Sequence, residues 1–297
     1  MRTGWRVIAE LGLGVMRAHG ADAIPFLQGQ LSNDTTRTAG QWQLSGYHTP
    51  QGRVIALLRL TQLAPDDLLA VMPLELVPLV VARLKRYVLR AKVQLTDDSP
   101  QWQICGFAAA APPALPAGAV SLPYGSSRHL ALLPQSAAAP AGAIDGTRSD
   151  WLAADIAEGL PQVYVATSEA FVAQMLNLDV TDGIALDKGC YTGQEIIARA
   201  HYRGQVKRRM QRFISDAPCT LLPGQTGKFA DGRSFKVVDA VAVEHGRCEF
   251  LAVANPPPAD VDASAHADEA EAVGAATEIL LSAQQLPLPY ALPATRS

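Results

Sequence analysis

Cysteine is scarce in this 297-residue sequence, and its four cysteines stand far apart. They are Cys105, Cys190, Cys219 and Cys248, and none forms the C-x-x-C pair that zinc ribbons and many iron–sulfur sites use. The sequence therefore argues against a zinc ribbon and against a cluster that this chain alone would hold. Isolated thiols are typical of a reducing compartment, so we expect a cytoplasmic protein.

Long hydrophobic runs are also lacking, because no stretch of about 18 consecutive apolar residues occurs. We therefore expect no membrane-spanning helix. The opening residues, Met1-Arg2-Thr3-Gly4-Trp5, do not begin an apolar signal segment, so export is not expected. Aromatic residues make up only 6% of the chain, but 48% of all residues are hydrophobic, as in an ordinary globular protein with an ample core.

The six histidines show no metal-binding pattern, since neither H-x-x-x-H nor H-E-x-x-H occurs. No metal site is expected. Nucleotide-binding loops are equally unsupported: Gly12-Leu13-Gly14 lacks the third glycine of a dinucleotide fingerprint, and Leu222 stands where a phosphate loop ending at Lys228 needs glycine. A nucleophilic Cys190–His201 pair has no further support in the sequence.

One segment of eight residues, here called the octamer, gathers unusually diverse side chains. It reads Lys188-Gly189-Cys190-Tyr191-Thr192-Gly193-Gln194-Glu195. Its two glycines permit positive φ or a close backbone approach. Thr192 is predicted to cap a helix over 193–203, with Glu195 as its capping-box partner.

The start of that helix would present free N–H groups, which favour an anion. Cys190 precedes the helix and stands beside Lys188, two features that favour a thiolate. A structural interpretation stays open, in which Cys190 is a small buried side chain in a loop that leads into the helix.

Basic residues cluster in two stretches of a chain whose formal net charge is −3. The first, from Lys188 to Arg212, holds seven basic residues and a single acid, Glu195. We interpret it as a local positive field that draws an anionic ligand. The second, from Arg83 to Lys92, holds five basic residues, and we interpret it as solvated helix and strand surface.

Hydrophobic periodicity predicts an α+β protein. Helices are expected over 21–31, 74–86 and 149–159, a hairpin over 43–60 and a strand over 87–95. After residue 209 the pattern contains only strands and turns. We therefore predict three regions: a ferredoxin-like α+β region over 1–97, a second α+β region over 98–209 and a C-terminal β-barrel over 210–297.

The octamer and the helix after it resemble the signature K-G-C-[YF]-T-G-Q-E-x-x-x-R of the YgfZ family. Weaker landmarks follow the family order over nearly the whole chain: Phe26 to Asp34, Gly46 to Val54, Leu84 to Val93, Trp151 to Pro161 and Leu286 to Tyr290. YgfZ proteins are folate-binding proteins related in fold to the glycine-cleavage T-protein, an aminomethyltransferase. The resemblance implies two ferredoxin-like halves around a central cavity, with the β-barrel beside them.

The resemblance also implies tetrahydrofolate or another folate as the cofactor. The implied function is that of an accessory factor in the assembly or repair of iron–sulfur enzymes, including those of tRNA processing, so such enzymes would be the clients. Cys190 is then the candidate reactive thiol, with Lys188 beside it.

A bound folate needs an aromatic wall, a polar group at the pterin edge and cations near its carboxylate tail. The candidate binding residues are Trp151, Asn177, Tyr191, Gln194, Glu195, Arg199 and Arg203. Two structural alternatives stay open: Trp151 as a core indole, and Arg199 as the i,i+4 ion-pair partner of Glu195.

Catalytic activity is uncertain from the sequence. T-protein enzymes carry an Asn and a catalytic Asp just after the strand that corresponds to Leu68–Met72, where this chain has Pro73-Leu74-Glu75. Without an acid near the folate N5, aminomethyl transfer lacks an evident proton donor or acceptor. A folate-dependent aminomethyl- or methyltransferase is the alternative function. Direct RNA binding through residues 199–212 is not favoured, because few aromatic residues interleave with the basic ones.

Overall fold

The computed structural model describes residues 6–8, 10–108, 114–138, 144–202, 206–256 and 279–293. In these ranges, no helix is long and apolar enough to cross a membrane.

The first sheet is built from residues 13–97. Its elements are β2 (Leu13–His19), α1 (Ala23–Gln28), β3 (Gln43–His48), β4 (Val54–Ala64), β5 (Asp67–Pro73), α2 (Val77–Lys85) and β6 (Gln94–Asp97). The strands are antiparallel in the order β3-β4-β5-β2-β6. Helix α2 buries Val77, Val80, Val81 and Leu84, whose i, i+3, i+4, i+7 spacing makes one apolar face against this sheet.

The second sheet combines the first strand of the chain with strands of its middle. Its strands are β1 (Arg6–Ile8), β7 (Trp102–Ala108), β8 (Val120–Tyr124), β9 (Arg128–Pro134) and β10 (Ile144–Asp145), in the order β10-β1-β7-β9-β8. Helix α3 (Arg148–Ala157) follows, capped by Thr147 and Asp150 in a reciprocal capping box.

The two sheets share a core, which positions the site described below. Val15, Leu69 and Val71 of the first sheet pack in one cluster with Leu130 and Leu132 of the second. The other face of the first sheet packs against α1 and α2. The space between the sheets is therefore lined by strand side chains from both.

The C-terminal part of the chain forms a half-barrel. Its strands are β11 (Arg209–Ser215), β12 (Thr226–Phe229), β13 (Ser234–Ala242), β14 (Cys248–Ala254), β15 (Ile279–Leu281) and β16 (Ala283–Leu286), in the order β15-β12-β13-β14-β11-β16. Its core holds Phe213, Phe229, Phe235 and Phe250, with neighbouring ring centroids 4.6–6.5 Å apart. Such aromatic packing stabilises a small β-structure efficiently.

The predicted α+β class is confirmed. The strand predicted over 87–95 is wrong, because the backbone N–H groups of Tyr87 and Val88 donate to the carbonyls of Leu84 and Lys85 and continue the helix as turns. Strand β6 begins only at Gln94. The division into two ferredoxin-like halves and a barrel remains a proposal.

Candidate functional site

A cavity of about 240 Å³ lies between the two sheets. Its walls come from residues 41–44, Arg59, residues 123–125, residues 160–161 and residues 181–182. Strands β3 and β4 therefore supply one side, and the end of β8 with two loops supplies the other. Segments far apart in sequence meet here because the sheets pack against each other.

Two polar side chains on the strands next to this cavity have unused hydrogen-bonding capacity. Arg59 is only 5% exposed, forms no ion pair within the described residues, and leaves its Nη1 without a hydrogen-bond partner. Gln43 donates from Nε2 to the Asp34 carbonyl at 2.7 Å, but its Oε1 has no partner.

Arg59 pairs with Leu44 across the β3–β4 ladder and lies over the Tyr124 ring of the second sheet. Gln43, by contrast, pairs with Leu60 and so points to the other face of the first sheet. A buried cation with an unused donor costs folding free energy, so the placement of Arg59 at the cavity favours a polar ligand there.

Two aromatic rings complete the cavity wall. The Trp42 indole is fixed because its Nε1 donates to the Leu130 carbonyl at 3.1 Å. The Tyr124 ring is buried, with the guanidinium groups of Arg59 and Arg128 each 5.0 Å from its centroid. The wall can thus offer flat apolar surface beside polar groups, as a site for a flat heterocycle requires.

Trp151 lies behind Tyr124 rather than in this cavity. Its ring is 5% exposed, lies 5.0 Å from the Tyr124 ring and carries the Arg128 guanidinium 4.4 Å from its centroid. It also fills the space over Gly106, where an added Cβ would come within 2.4 Å of the indole. The predicted aromatic wall is therefore a core indole that supports the wall formed by Tyr124.

A buried ion-pair network surrounds this aromatic pair. Arg128, which is buried, contacts Asp155 at 2.8 Å and Glu158 at 3.2 Å. Burial raises the pKa of Asp155 above its usual range, although the guanidinium groups of Arg128 and Arg59 oppose this shift. Asp155 and Trp151 also line a second cavity of about 30 Å³, which is large enough for roughly one water molecule.

Lys188 is the anchor of the octamer. Its Nζ donates to the carbonyls of Gln28, Leu31 and Asn33 at 2.7–2.8 Å and lies 5.1 Å from the Tyr191 ring centroid. Burial lowers its pKa to about 8. The ammonium group ties the octamer to the segment after α1, and its three donors are used in doing so.

Gly193 brings the octamer against the β3–β4 hairpin. Its φ is +84°, and an added Cβ would lie 2.6 Å from the Thr49 carbonyl oxygen, so glycine is required on both grounds. Gly189 has neither constraint, since nothing lies within 4 Å of an added Cβ and its φ is not positive. The predicted close approach therefore holds at Gly193 alone.

Helix α4 (Gln194–Tyr202) follows the octamer, close to the predicted bounds. Within the described residues, no hydrogen bond joins Thr192 to Glu195, so the predicted capping box is wrong. The Glu195 carboxylate accepts from Arg199 Nη2 at 2.8 Å instead, because the two residues are one helical turn apart. Their side chains are 81% and 65% exposed, so this is a solvated surface ion pair.

The remaining candidate residues lie in different surroundings. Cys190 is exposed, which excludes the interpretation as a buried packing residue. Tyr191 is buried in the main core, and burial raises its pKa to about 12. Gln194 is half-buried at the start of α4, and Arg203 lies outside the described residues.

Asn177 is a structural link. It is fully buried with φ +57°, and its Nδ2 donates to the Met210 carbonyl at 2.9 Å and to the Tyr290 hydroxyl at 3.3 Å. Its Oδ1 accepts from Arg209, which also pairs with Asp179. Its amide is thus committed to the contact with the half-barrel.

The structure brings the octamer together with the hairpin and the segment after α1, but not with the cavity between the sheets. No motif in the sequence identified Arg59, Trp42 or Tyr124 as residues of a site. One signal was available for Arg59: it is the single charge in the apolar strand Val54-Ile55-Ala56-Leu57-Leu58-Arg59-Leu60. A lone charge in such a strand indicates a specific buried role.

The architecture is that of an aminomethyltransferase T-type protein. The glycine cleavage system aminomethyltransferase T from Bartonella henselae superposes with a TM-score of 0.67, covering 86% of this chain and 79% of that one. Sequence identity is 12%, so this likeness concerns the fold.

No family model matches the sequence, but relatives do. The tRNA-modifying protein YgfZ of Sodalis glossinidius is 28% identical over 92% of this chain and 89% of its own length. The protein of the same name from Edwardsiella ictaluri is 31% identical over 64% of this chain and 65% of its own length. An uncharacterized protein of Haemophilus influenzae is 33% identical over 67% of this chain and 70% of its own length. The chain belongs to the YgfZ family.

Proposed function

We propose that the cavity between the sheets binds the pterin ring of tetrahydrofolate or another folate. The observation that carries this proposal is the buried Arg59 guanidinium, whose Nη1 has no hydrogen-bond partner, at a cavity that Trp42 and Tyr124 also line. A pterin has a carbonyl that accepts hydrogen bonds and a neighbouring N–H and amino group that donate them. Arg59 can donate to the carbonyl, and the aromatic rings can cover the flat faces.

The cavity volume limits how much of the ligand is enclosed. Sites for drug-sized ligands typically have volumes of about 300–1,000 Å³, and this cavity of about 240 Å³ falls just below. It suits the bicyclic ring, and the benzoyl-glutamate tail would extend toward the surface. Whether Tyr191, Gln194, Glu195, Arg199 or Arg203 contacts that tail remains a prediction.

The cellular role that we propose is that of a cytoplasmic accessory factor for iron–sulfur enzymes, including those of tRNA processing. The family membership supports this role, since the characterised relatives are called tRNA-modifying proteins. The exposed Cys190, on an octamer fixed by Lys188, supports a thiol that reaches client enzymes. We also propose that the chain divides into two ferredoxin-like halves, over 1–97 and 98–209, and a barrel over 210–297.

A titration with tetrahydrofolate tests the binding site. Arg59→Met should weaken binding at least tenfold, because it removes charged hydrogen bonds to the ligand. Arg59 has no ion pair within 4 Å in the described ranges, and Asp155, whose charge it favours from farther away, keeps its ion pair with Arg128, so the same change should leave the melting temperature nearly unchanged.

The matched control is Arg53→Met in the turn of the same hairpin, where the exposed guanidinium donates to the Ala170 carbonyl. It should bind tetrahydrofolate like the wild type. Equal affinities for the wild type and a folded Arg59→Met variant would contradict a pterin site at this cavity.

A folate-dependent aminomethyl- or methyltransferase is the second candidate function. The T-type fold favours it, as does Asp182, an exposed carboxylate at the cavity that the sequence reasoning did not consider. Release of ammonia from an aminomethyl donor, dependent on tetrahydrofolate, would show this activity. Binding without such turnover would leave the accessory role as the better account.

A further inference from the structure

The turn between α2 and β6 presents an unusual surface, here called the basic turn: Lys85, Arg86, Tyr87, Leu89, Arg90 and Lys92. All six side chains are exposed. The segment from Arg83 to Lys92 contains five basic residues and no acid. Because the net charge of the chain is −3, these basic residues create a local positive field in a protein that is negative as a whole.

The cations of the basic turn are free of acidic partners. Arg83 is neutralised by Glu169 at 2.7 Å, but Lys85, Arg86, Arg90 and Lys92 form no ion pair within the described ranges. Asp22 is the acid at the edge of the turn, where it accepts a hydrogen bond from the Lys92 backbone N–H at 2.6 Å. Four cations are thus available to an anionic partner.

Exposed apolar groups stand between these cations. Tyr87 is 50% exposed, and Leu89 is 89% exposed with φ +40°, a conformation that costs free energy for leucine. Val88 and Ala91 pack against the main core, and the Ala91 N–H donates to the Val88 carbonyl at 2.7 Å. The turn is therefore held in place while half of the Tyr87 ring and most of the Leu89 side chain stay exposed.

We propose that the basic turn binds RNA, with the four cations on phosphates and Tyr87 stacked on an unpaired base. Single-stranded nucleic acid is bound by cations that follow the backbone and by interleaved aromatic rings, and this turn offers both within ten residues. An anionic membrane surface fits less well, because α2 buries its apolar face in the core and leaves no amphipathic helix for insertion. The proposal does not depend on the folate site.

Fluorescence anisotropy with a labelled, purified tRNA tests the proposal. The double variant Arg86→Gln/Arg90→Gln should weaken binding at least tenfold. It should also reduce the slope of log K against log salt by about 1.5, since each phosphate contact contributes roughly 0.7–0.9. Tyr87→Leu should weaken binding fivefold or more and leave the salt slope unchanged.

The matched control is Lys207→Gln/Arg208→Gln, which removes the same charge from two exposed positions of the other basic stretch. It should keep at least half of the wild-type affinity. An equal loss in both double variants would contradict the proposal, because binding would then follow net charge. Absence of tRNA binding by the wild type, or tighter binding to phosphatidylserine vesicles than to tRNA, would also contradict it. The tetrahydrofolate titration tests a different site, so its result is independent of these outcomes.

Discussion

Single buried polar residues are the most informative feature at the residue scale. Arg59 and His48 both lie on the β3–β4 hairpin strands, and both have ring or guanidinium nitrogens without a partner. Arg59 lies at a cavity, where we propose that a ligand contacts it. His48 is 1% exposed and packs so closely on Gly46 that an added Cβ there would lie 2.3 Å from its Nε2.

His48 should make the protein acid-sensitive. Burial lowers its pKa to about 3, from 6.5 in the unfolded chain. Between these values the unfolded chain binds a proton that the folded chain does not, so stability falls as the pH falls from 6.5 toward 3. At pH 5 the expected loss from this residue is about 2 kcal/mol, at roughly 1.4 kcal/mol per pKa unit.

Urea unfolding of wild type and His48→Leu at pH 7.5 and pH 5 measures this effect. At pH 7.5, the difference in unfolding free energy between the two proteins gives the packing cost of the substitution. At pH 5 this difference should be smaller by about 2 kcal/mol, because the wild type loses that stability whereas leucine does not titrate. The same difference at both pH values would show that His48 does not control acid stability.

At the scale of elements, the octamer is a loop held at both ends. Lys188 binds three carbonyls after α1, and Gly193 lies against the Thr49 carbonyl of the hairpin. Cys190 lies between these two contacts and is exposed. The loop thus fixes the thiol at the surface without burying it.

Cys190 should react with a thiol reagent near neutral pH faster than the other cysteines. Cys105 and Cys248 are buried, and burial raises the pKa of both thiols, that of Cys248 to about 11. Cys190→Ser should fold and bind tetrahydrofolate, yet fail to support iron–sulfur enzyme activity in cells that lack the native protein. Slow labelling together with full complementation would assign Cys190 no chemical role.

Several elements could be predicted from the sequence because local signals determine them. The periodic Leu76, Val77, Val80 and Leu84 predicted α2, and the glycines of the octamer predicted the tight approach that Gly193 makes. The strand predicted over 87–95 failed because turn hydrogen bonds after α2, rather than side-chain alternation, determine the path there.

At the scale of the whole molecule, the cavity could not be predicted from the sequence. Arg59 and Tyr124 belong to strands of two different sheets, and only the packing of those sheets brings them together. Trp151 and Asn177 were chosen for their chemistry, but each is held by core or interface contacts that no local pattern reveals. The family signature identified the octamer, which lies apart from this cavity.

A crystal structure of the protein grown with tetrahydrofolate tests the central claim most directly. The account predicts density for the pterin ring between Trp42 and Tyr124, with a ring oxygen or nitrogen about 2.7–3.2 Å from an Arg59 nitrogen. Tetrahydrofolate bound elsewhere, with this cavity unchanged, would contradict the account.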